Sequence, residues 1–365
     1  MKKPLQIGLV GSGYFGGQLA RALHALEDTT VTAVHGGSRA AALAEELGCA
    51  LEERLEALME RSDVDAVVVA SPNHAHEAPV LLAARHGKHV FCEKPVALSL
   101  DDCERMLAAC REAGVLFMAG HIMHFMNGVG QAKQWIEDGA IGRPIVCSSE
   151  RTGWEDQQPS VSWKKNNATS GGHLFHHIHE LDLMQAVMGP ARSVSMAGGN
   201  LAHHGEGYGD EEDVLLLTLE FERGGLGTMQ LGSGFRLGEH FVKINGTEGA
   251  ILIDLKRSTV ELRRGGRVEG HLLHDTPEQD EARAAWYRQA DRGIAYGRNA
   301  TEMPDWLTAL IRKEMTAFRD AVLGRPIPAP MQALFDGSAA RSSIATAEAS
   351  MRALREQRWV EVAGG

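Results

Sequence analysis

The sequence has no cysteine pair spaced C-x-x-C, and its five cysteines (Cys49, Cys92, Cys103, Cys110, Cys147) are an odd number. A disulfide framework and a cysteine zinc site are therefore both unexpected, and the thiols read as buried apolar side chains. Positive charge is also scarce: 37 Lys and Arg stand against 48 Asp and Glu, a net charge of -11. A nucleic acid or an anionic membrane surface is normally met by a basic face, so neither is expected and a small molecule is the predicted partner. No apolar run approaches the roughly 18–20 residues of a membrane span. Met1-Lys2-Lys3-Pro4 leads straight into a strand-like segment without the apolar stretch of a signal peptide, which predicts a cytoplasmic protein. Internal repeats and low-complexity linkers are missing too. What remains is an ordinary globular composition, 44% hydrophobic and 23% charged over 365 residues. At roughly 100–200 residues per domain, that length suggests two domains.

Leu5-Gln6-Ile7-Gly8-Leu9-Val10 reads as a short apolar strand, and Gly11-Ser12-Gly13-Tyr14-Phe15-Gly16 follows it, opening a helical pattern through Leu19, Ala22, Leu23 and Leu26. This is G-x-G-x-x-G between a strand and a helix. Gly11 permits the tight turn, Gly13 admits a pyrophosphate to the backbone, Gly16 allows close helix packing, and the whole loop from Gly11 to Gly16 presents helix-terminal amides to the phosphates. The next strand, Val31 to Val34, ends in His35-Gly36-Gly37-Ser38-Arg39 with no Asp or Glu for the ribose hydroxyls. Ser38 and Arg39 offer donors to a 2′-phosphate instead, which leans the cofactor towards NADP, with NAD the alternative. Ala66 to Ala70 is a β-branched run suited to burial on both faces of a parallel sheet. It ends in Ser71-Pro72-Asn73-His74-Ala75-His76, expected to lie over the nicotinamide through Ser71, Pro72, Asn73 and His76. A helix from Glu77 to His86, a strand from His89 to Cys92, a helix capped by Ser99 and a strand from Leu116 to Ala119 complete an alternating pattern. The predicted first domain, residues 1–122, is a doubly wound parallel α/β sheet of the Rossmann type.

Beyond it, a helix from Val129 to Glu137 gives way to strands at 145–151, 193–198, 214–221, 226–231, 241–245 and 250–255, with a hairpin turn at Arg223-Gly224-Gly225. Residues 123–365 are thus expected to form an α+β domain with a large open, mainly antiparallel sheet. Helices are predicted over 281–292, 306–322 and 333–354, the last returning towards the first domain. Val90-Phe91-Cys92-Glu93-Lys94-Pro95 ends a strand at the carboxyl edge of the first sheet, where ligands bind in such folds. Lys94 there is placed to donate to a substrate hydroxyl, with Glu93 beside it.

With Gly11/Gly13/Gly16, Ser71-Pro72-Asn73-x-x-His76, Gly87-Lys88-His89-Val90 and Glu93-Lys94-Pro95 in that order, the chain resembles the glucose-fructose oxidoreductase / inositol dehydrogenase / MocA family over essentially its whole length. The resemblance implies a nicotinamide-binding domain, hydride transfer at a hydroxyl-bearing carbon of a sugar, glycoside or cyclitol, and a C-terminal sheet that often serves as the interface of a homo-oligomer, a dimer or tetramer. It implies that Lys94 touches the reacting hydroxyl and that a histidine from a Gly-Gly…His-x-x-Asp segment completes the site. Here that segment runs from Ser170 to Asp182, so His179 is the expected acid/base and Asp182 orients it or binds a substrate hydroxyl. Many members of the family carry an aspartate and glycine where this chain has Phe175, His176 and His177.

Four histidines within seven residues raise two readings. One is the exposed start of an amphipathic helix. The other is a metal site for Zn²⁺ or Mn²⁺, with His173, His176, His177 and Glu180 on one helix face and His121 and His124 near it. A nicotinamide with a metal would suit a different reaction: transient oxidation of a sugar hydroxyl acidifies the neighbouring C–H, and elimination expels a glycosidic group without net redox. His124, His176, His177, Trp163 and Lys164 are further expected substrate contacts, the last two in a polar loop with Trp154, Lys165 and Asn166. The acidic run from Glu206 to Asp213 reads as a solvated hairpin entry. A non-catalytic dinucleotide sensor is the remaining alternative, and the presence of both Lys94 and His179 argues against it.

Overall fold

The computed structural model describes residues 4–289 and 303–363. They divide into two compact units, one of residues 1–122 with 308–344 and one of residues 123–307 with 345–365. The first stretch of the first unit ends at residue 122. Segment 308–344 joins the first unit, although the sequence pattern places it in the second domain.

The first unit holds six parallel strands: β1 (Leu5–Val10), β2 (Thr29–His35), β3 (Ala50–Glu52), β4 (Ala66–Val69), β5 (His89–Glu93) and β6 (Phe117–Gly120). Their order across the sheet is β3-β2-β1-β4-β5-β6. Chain direction across the sheet therefore reverses between β1 and β4, the place where such sheets open a crevice at their carboxyl ends. Every residue of β4 is buried, as its unbroken β-branched run requires. The helix Leu100–Glu112 begins at Ser99, whose Oγ accepts the Asp102 N–H at 3.1 Å. Helix Asp305–Val322 sends Phe318 onto Phe91 of β5, ring centroids 5.8 Å apart, and both rings are fully buried.

The second unit is built on nine strands: β7 (Pro144–Thr152), β8 (Ala191–Gly199), β9 (Val214–Phe221), β10 (Leu226–Gly232), β11 (His240–Gly246), β12 (Gly249–Asp254), β13 (Thr259–Arg264), β14 (Arg267–Leu272) and β15 (Val360–Glu361). Their order is β14-β13-β12-β11-β7-β10-β9-β8-β15. Only β7 and β10 run parallel, and every other pairing is antiparallel. The β9–β10 hairpin turns at the expected Arg223-Gly224-Gly225, with the Gly224 N–H bonded to the Phe221 carbonyl.

The expected helix over 281–292 is seen as Pro277–Gln289; its last residues lie outside the described set, as do Met1 to Lys3. The helix expected over 333–354 is two: Gln332–Phe335 and Ser338–Glu356. Gly337 between them adopts φ +82°, a left-handed conformation that interrupts a helix, and Asp336 caps the second piece through the Ser338 N–H. Among the described residues no helix is long and apolar enough to cross a membrane.

Candidate functional site

In the first unit the glycine-rich turn is built as a phosphate cradle. Gly11 has φ +100°, and a Cβ there would lie 2.5 Å from the Ser71 amide nitrogen. A Cβ on Gly16 would meet the Gly11 carbonyl oxygen at 2.1 Å, so neither position admits a side chain. Gly13 is the opposite case: nothing stands within 4 Å of its missing Cβ. That opening lies at the start of helix Tyr14–His24, which has neither a side-chain cap nor an acidic residue in its first turn. Its terminal amides and dipole are thus left to an anion. Ser12 is 1% exposed and its Oγ has no hydrogen-bond partner among the described residues. A backbone cradle with an unused hydroxyl at a helix start fits a dinucleotide pyrophosphate. Gly11 and Ser12 donate to the carbonyls of His35 and Gly36, fastening the cradle to the loop after β2. Ser38 and Arg39 on that loop are exposed, as is Tyr14, while Phe15 is half-buried.

The loop after β4 turns through Asn73–Ala75, with Asn73 buried. His76 was an expected cofactor contact, but the structure makes it a strut. It is 1% exposed, and its Nε2 and Nδ1 lie 2.8 Å from the Ser71 carbonyl and 2.9 Å from the Pro95 carbonyl. Burial pushes its pKa down despite the two carbonyls, and the Lys94 charge adds to that. His76 therefore ties the Ser71 loop to the Lys94-Pro95 corner, and its ring nitrogens are not available to a ligand.

That corner holds half-buried Lys94, joined to Pro95 by a cis peptide bond. Glu93 accepts the Lys94 N–H at Oε2, 3.2 Å away, while its Oε1 is buried with no hydrogen-bond partner among the described residues. Burial pushes the Glu93 carboxyl up to about 7, with Lys94 and His121 pulling the other way. Behind it, on helix Asp305–Val322, Glu314 is fully buried, and neither carboxyl oxygen has a hydrogen-bond partner among the described residues. Burial and the nearby Glu93 push its pKa well up. The sequence pattern carries no sign of Glu314.

In the second unit, His179 begins helix His179–Met188 and is half-buried. Glu180 and Asp182 in its first turn point into the protein, 0% and 3% exposed. Arg151 of β7 grips both Glu180 oxygens at 3.0 and 3.1 Å, and His240 of β11 reaches Oε1 at 2.7 Å. Burial alone would raise the Glu180 pKa, but Arg151 and His240 hold it well below the usual carboxylate range. This pairing pins the turn that carries His179 to two strands.

Asp182 does not face a free solvent space. Its Oδ2 lies 2.7 Å from His124 Nε2, and His124 Nδ1 lies 2.8 Å from Lys133 Nζ. Both ring nitrogens of His124 are therefore engaged inside the protein, and its expected role as a substrate contact is withdrawn.

The histidine run forms a line of rings: His173 to His177 at 4.5 Å, His177 to His176 at 4.7 Å, and His176 to Trp163 at 5.8 Å. His173 is fully buried and its Nδ1 lies 3.3 Å from Glu211 Oε1. The expected metal set of His173, His176, His177 and Glu180 is not assembled. Glu180 is spent on Arg151 and His240, His173 turns to Glu211, and among the described residues no three His, Cys, Asp or Glu side chains are grouped to hold a metal ion. Of the polar loop, Trp163 and Lys164 lie on a short turn, Trp163–Lys165, with Lys164 exposed. Lys165 is the engaged lysine, paired with Glu155 and, at 2.5 Å, with Glu211.

The acidic run is a solvated entry only in part: Glu206 and Asp210 are exposed, whereas Glu211 and Asp213 are buried. Asp213, 2% exposed, accepts the backbone N–H groups of Leu201, Ala202 and His203 at 2.7, 2.8 and 2.7 Å. Its carboxylate gives these three successive amides a buried partner.

Two family descriptions match the chain: "Oxidoreductase family, NAD-binding Rossmann fold" over residues 5–121 and "Oxidoreductase family, C-terminal alpha/beta domain" over residues 133–362. A 2,7-anhydro-N-acetylneuraminate hydratase of Escherichia coli (strain K12) is 45% identical over 361 residues, 98% of this chain and 97% of the relative. A protein of the same name from Mediterraneibacter gnavus is 44% identical over 363 residues, 99% of this chain and 97% of the relative. A solved levoglucosan dehydrogenase in complex with NADH and levoglucosan shares the fold at a TM-score of 0.80. It is 21% identical, and the match covers 99% of this chain and 100% of that one. Cradle, Glu-Lys-Pro corner, His-x-x-Asp turn and both matched domains lead to one conclusion: the chain belongs to the Gfo/Idh/MocA family of NAD(P)-binding oxidoreductases acting on sugars and cyclitols.

Proposed function

We propose that this protein is a hydratase of 2,7-anhydro-N-acetylneuraminate, opening the internal ether bridge of that anhydro-sugar by oxidation, elimination, water addition and re-reduction, with no net redox change. The observation that carries the reading is the similarity, at 44–45% identity over nearly the full length of both chains, to two relatives of that name. The cradle from Gly11 to Gly16 would hold the pyrophosphate, Ser38 and Arg39 would meet the adenosine ribose, and the absence of an acid between Gly36 and Arg39 suits NADP as well as NAD. When bound, the nicotinamide supplies a hydride acceptor and returns the same hydride later.

The remaining work falls to side chains. Lys94 holds the oxygen of the substrate's C4 hydroxyl and stabilises the negative charge that develops as it becomes a ketone oxygen. His179 takes the hydroxyl proton. A C4 ketone acidifies the C3 hydrogens, so a base that removes one of them forms a C2–C3 double bond as the C2–O7 bond breaks, and O7 picks up a proton. Lys94, still on the ketone oxygen, favours that enolate-like step. Water then adds at C2, a proton returns to C3, and the C4 alcohol is re-formed, so one water is gained overall. His176 and His177, next to the acid/base in sequence, and Trp163 beside them supply polar and aromatic surface for the sugar. Unlike the metal-assisted elimination that was the alternative reading of the sequence, this route calls on no metal ligand.

The test is turnover of 2,7-anhydro-N-acetylneuraminate in D₂O with NAD or NADP well below the substrate concentration. N-acetylneuraminate should accumulate far beyond the cofactor supplied, with deuterium at C3 and no lasting rise in reduced nicotinamide. Lys94→Ala should cut the rate by about 10²–10⁴. Reduced cofactor formed mole for mole with a keto product would replace the proposal with simple dehydrogenation, and so would absence of deuterium at C3.

A further inference from the structure

Helix Asn127–Glu137 buries Val129, Ala132 and Trp135 on one side, yet carries Lys133 half-buried among them. An apolar side chain would serve packing better there, since a buried amine loses its hydration. Burial does push the Lys133 pKa down, while Asp182 and Glu137 pull it up. Its Nζ lies 2.8 Å from His124 Nδ1, and His124 Nε2 lies 2.7 Å from Asp182 Oδ2. His124 and Asp182 are both 3% exposed, and all three residues belong to the second unit.

An ammonium group has hydrogens to give and no lone pair to offer. Contact with Lys133 therefore makes His124 Nδ1 the acceptor, and the single proton of a neutral ring must then sit on Nε2, facing the carboxylate. With the proton on Nδ1 instead, Nε2 would turn a lone pair towards Asp182 and repel it. We infer that Lys133 is a positioning residue: by donating to His124 it fixes the ring as the Nε2–H tautomer, which holds Asp182 in place one helical turn after His179. The inference rests on the reading of His179 as the acid/base group. It extends the working site to a residue on a different helix that reaches the reaction only through two others.

Lys133→Met keeps length and apolar volume but removes the donor, whereas Lys133→Arg keeps a donor. In the Met variant kcat should fall by about 10–100-fold with KM within about threefold, and Arg should restore most of that loss. Nitrogen-15 spectra of the histidine rings read the tautomer directly, with or without turnover: Nε2–H in the parent and the Arg variant, a mixture or Nδ1–H in the Met variant. Parent-like turnover in Lys133→Met overturns the inference. So does an unchanged Nε2–H tautomer in that variant, or an equal loss of turnover in Met and Arg. Should the anhydro-sugar not be turned over at all, the ring spectra still decide the tautomer, so the two proposals fail separately.

Discussion

Replacing Arg151 by Met should destabilise the protein severely, because it leaves the Glu180 carboxylate without its main partner. Glu180 is fully buried and Arg151 is 8% exposed, so water cannot take over. Removing one partner of a buried ion pair costs about 3–5 kcal/mol, most of it the penalty of an uncompensated charge. In a unit of roughly 200 residues each kcal/mol lowers Tm by about 2–4 °C, so a fall of about 6–20 °C is expected. The assay is thermal unfolding followed by circular dichroism, with urea unfolding as a check that the slope of the transition is unchanged. Adding Glu180→Gln to Arg151→Met removes the stranded charge and leaves His240 a polar partner, so the double variant should regain more than half of the loss. The deficit of Arg151→Met should also shrink as pH falls, since protonation of Glu180 discharges it. A cost under about 1 kcal/mol for Arg151→Met, or a double variant less stable than the single one, would refute the assignment of the pair.

The stability that His240 contributes, read as parent minus His240→Gln so that the opposing buried acids Glu93 and Glu314 cancel, should fall on acidification from about pH 6.5 to about 4. Burial pushes the His240 pKa down to about 4, with Glu180 opposing, so in that window the unfolded chain binds a proton that the folded chain refuses. The loss is about 3 kcal/mol at most; a parent-minus-variant difference in urea stability that does not change across the window would count against it. Gly13→Ala and Gly16→Ala should part company. The first, with empty space at its Cβ, should keep the parent Tm and lose dinucleotide affinity. The second must push back the Gly11 carbonyl by on the order of 1 Å to reach normal contact and should lose both. Calorimetric titration with NAD and NADP alongside thermal unfolding reads the two apart, and equal Tm values for the pair would contradict the cradle geometry.

Most of the first unit was legible in the sequence because each of its signals is local. The β-branched run of β4 and the Ser99 cap lie within a few residues of the structure they specify, and so do the glycines. The second unit was less so. β14 escaped because every residue of it is exposed, so no alternation marks a buried face, and β13 shows only Val260 and Leu262 as alternating buried positions before Arg263 and Arg264. Contacts between distant positions were beyond reach. Nothing near Asp182 announces His124, 58 residues away, and nothing near Lys94 announces Glu314. The acidic run misled in part, for the same reason: the charges of Glu211 and Asp213 look solvated until Lys165, His173 and three backbone amides are folded against them. His76 misled by standing in a cofactor-facing motif while serving to brace it.

The chain leaves the first unit at residue 122 and returns to it only at residue 308. During synthesis, β5 therefore emerges from the ribosome long before Phe318 exists to cover Phe91 and before Glu314 can be enclosed. The nucleotide-binding half must wait for nearly the whole polypeptide before its packing is complete, and a fragment ending at residue 122 would display an apolar face to chaperones and proteases. Any separate expression of that half needs segment 308–344 supplied with it.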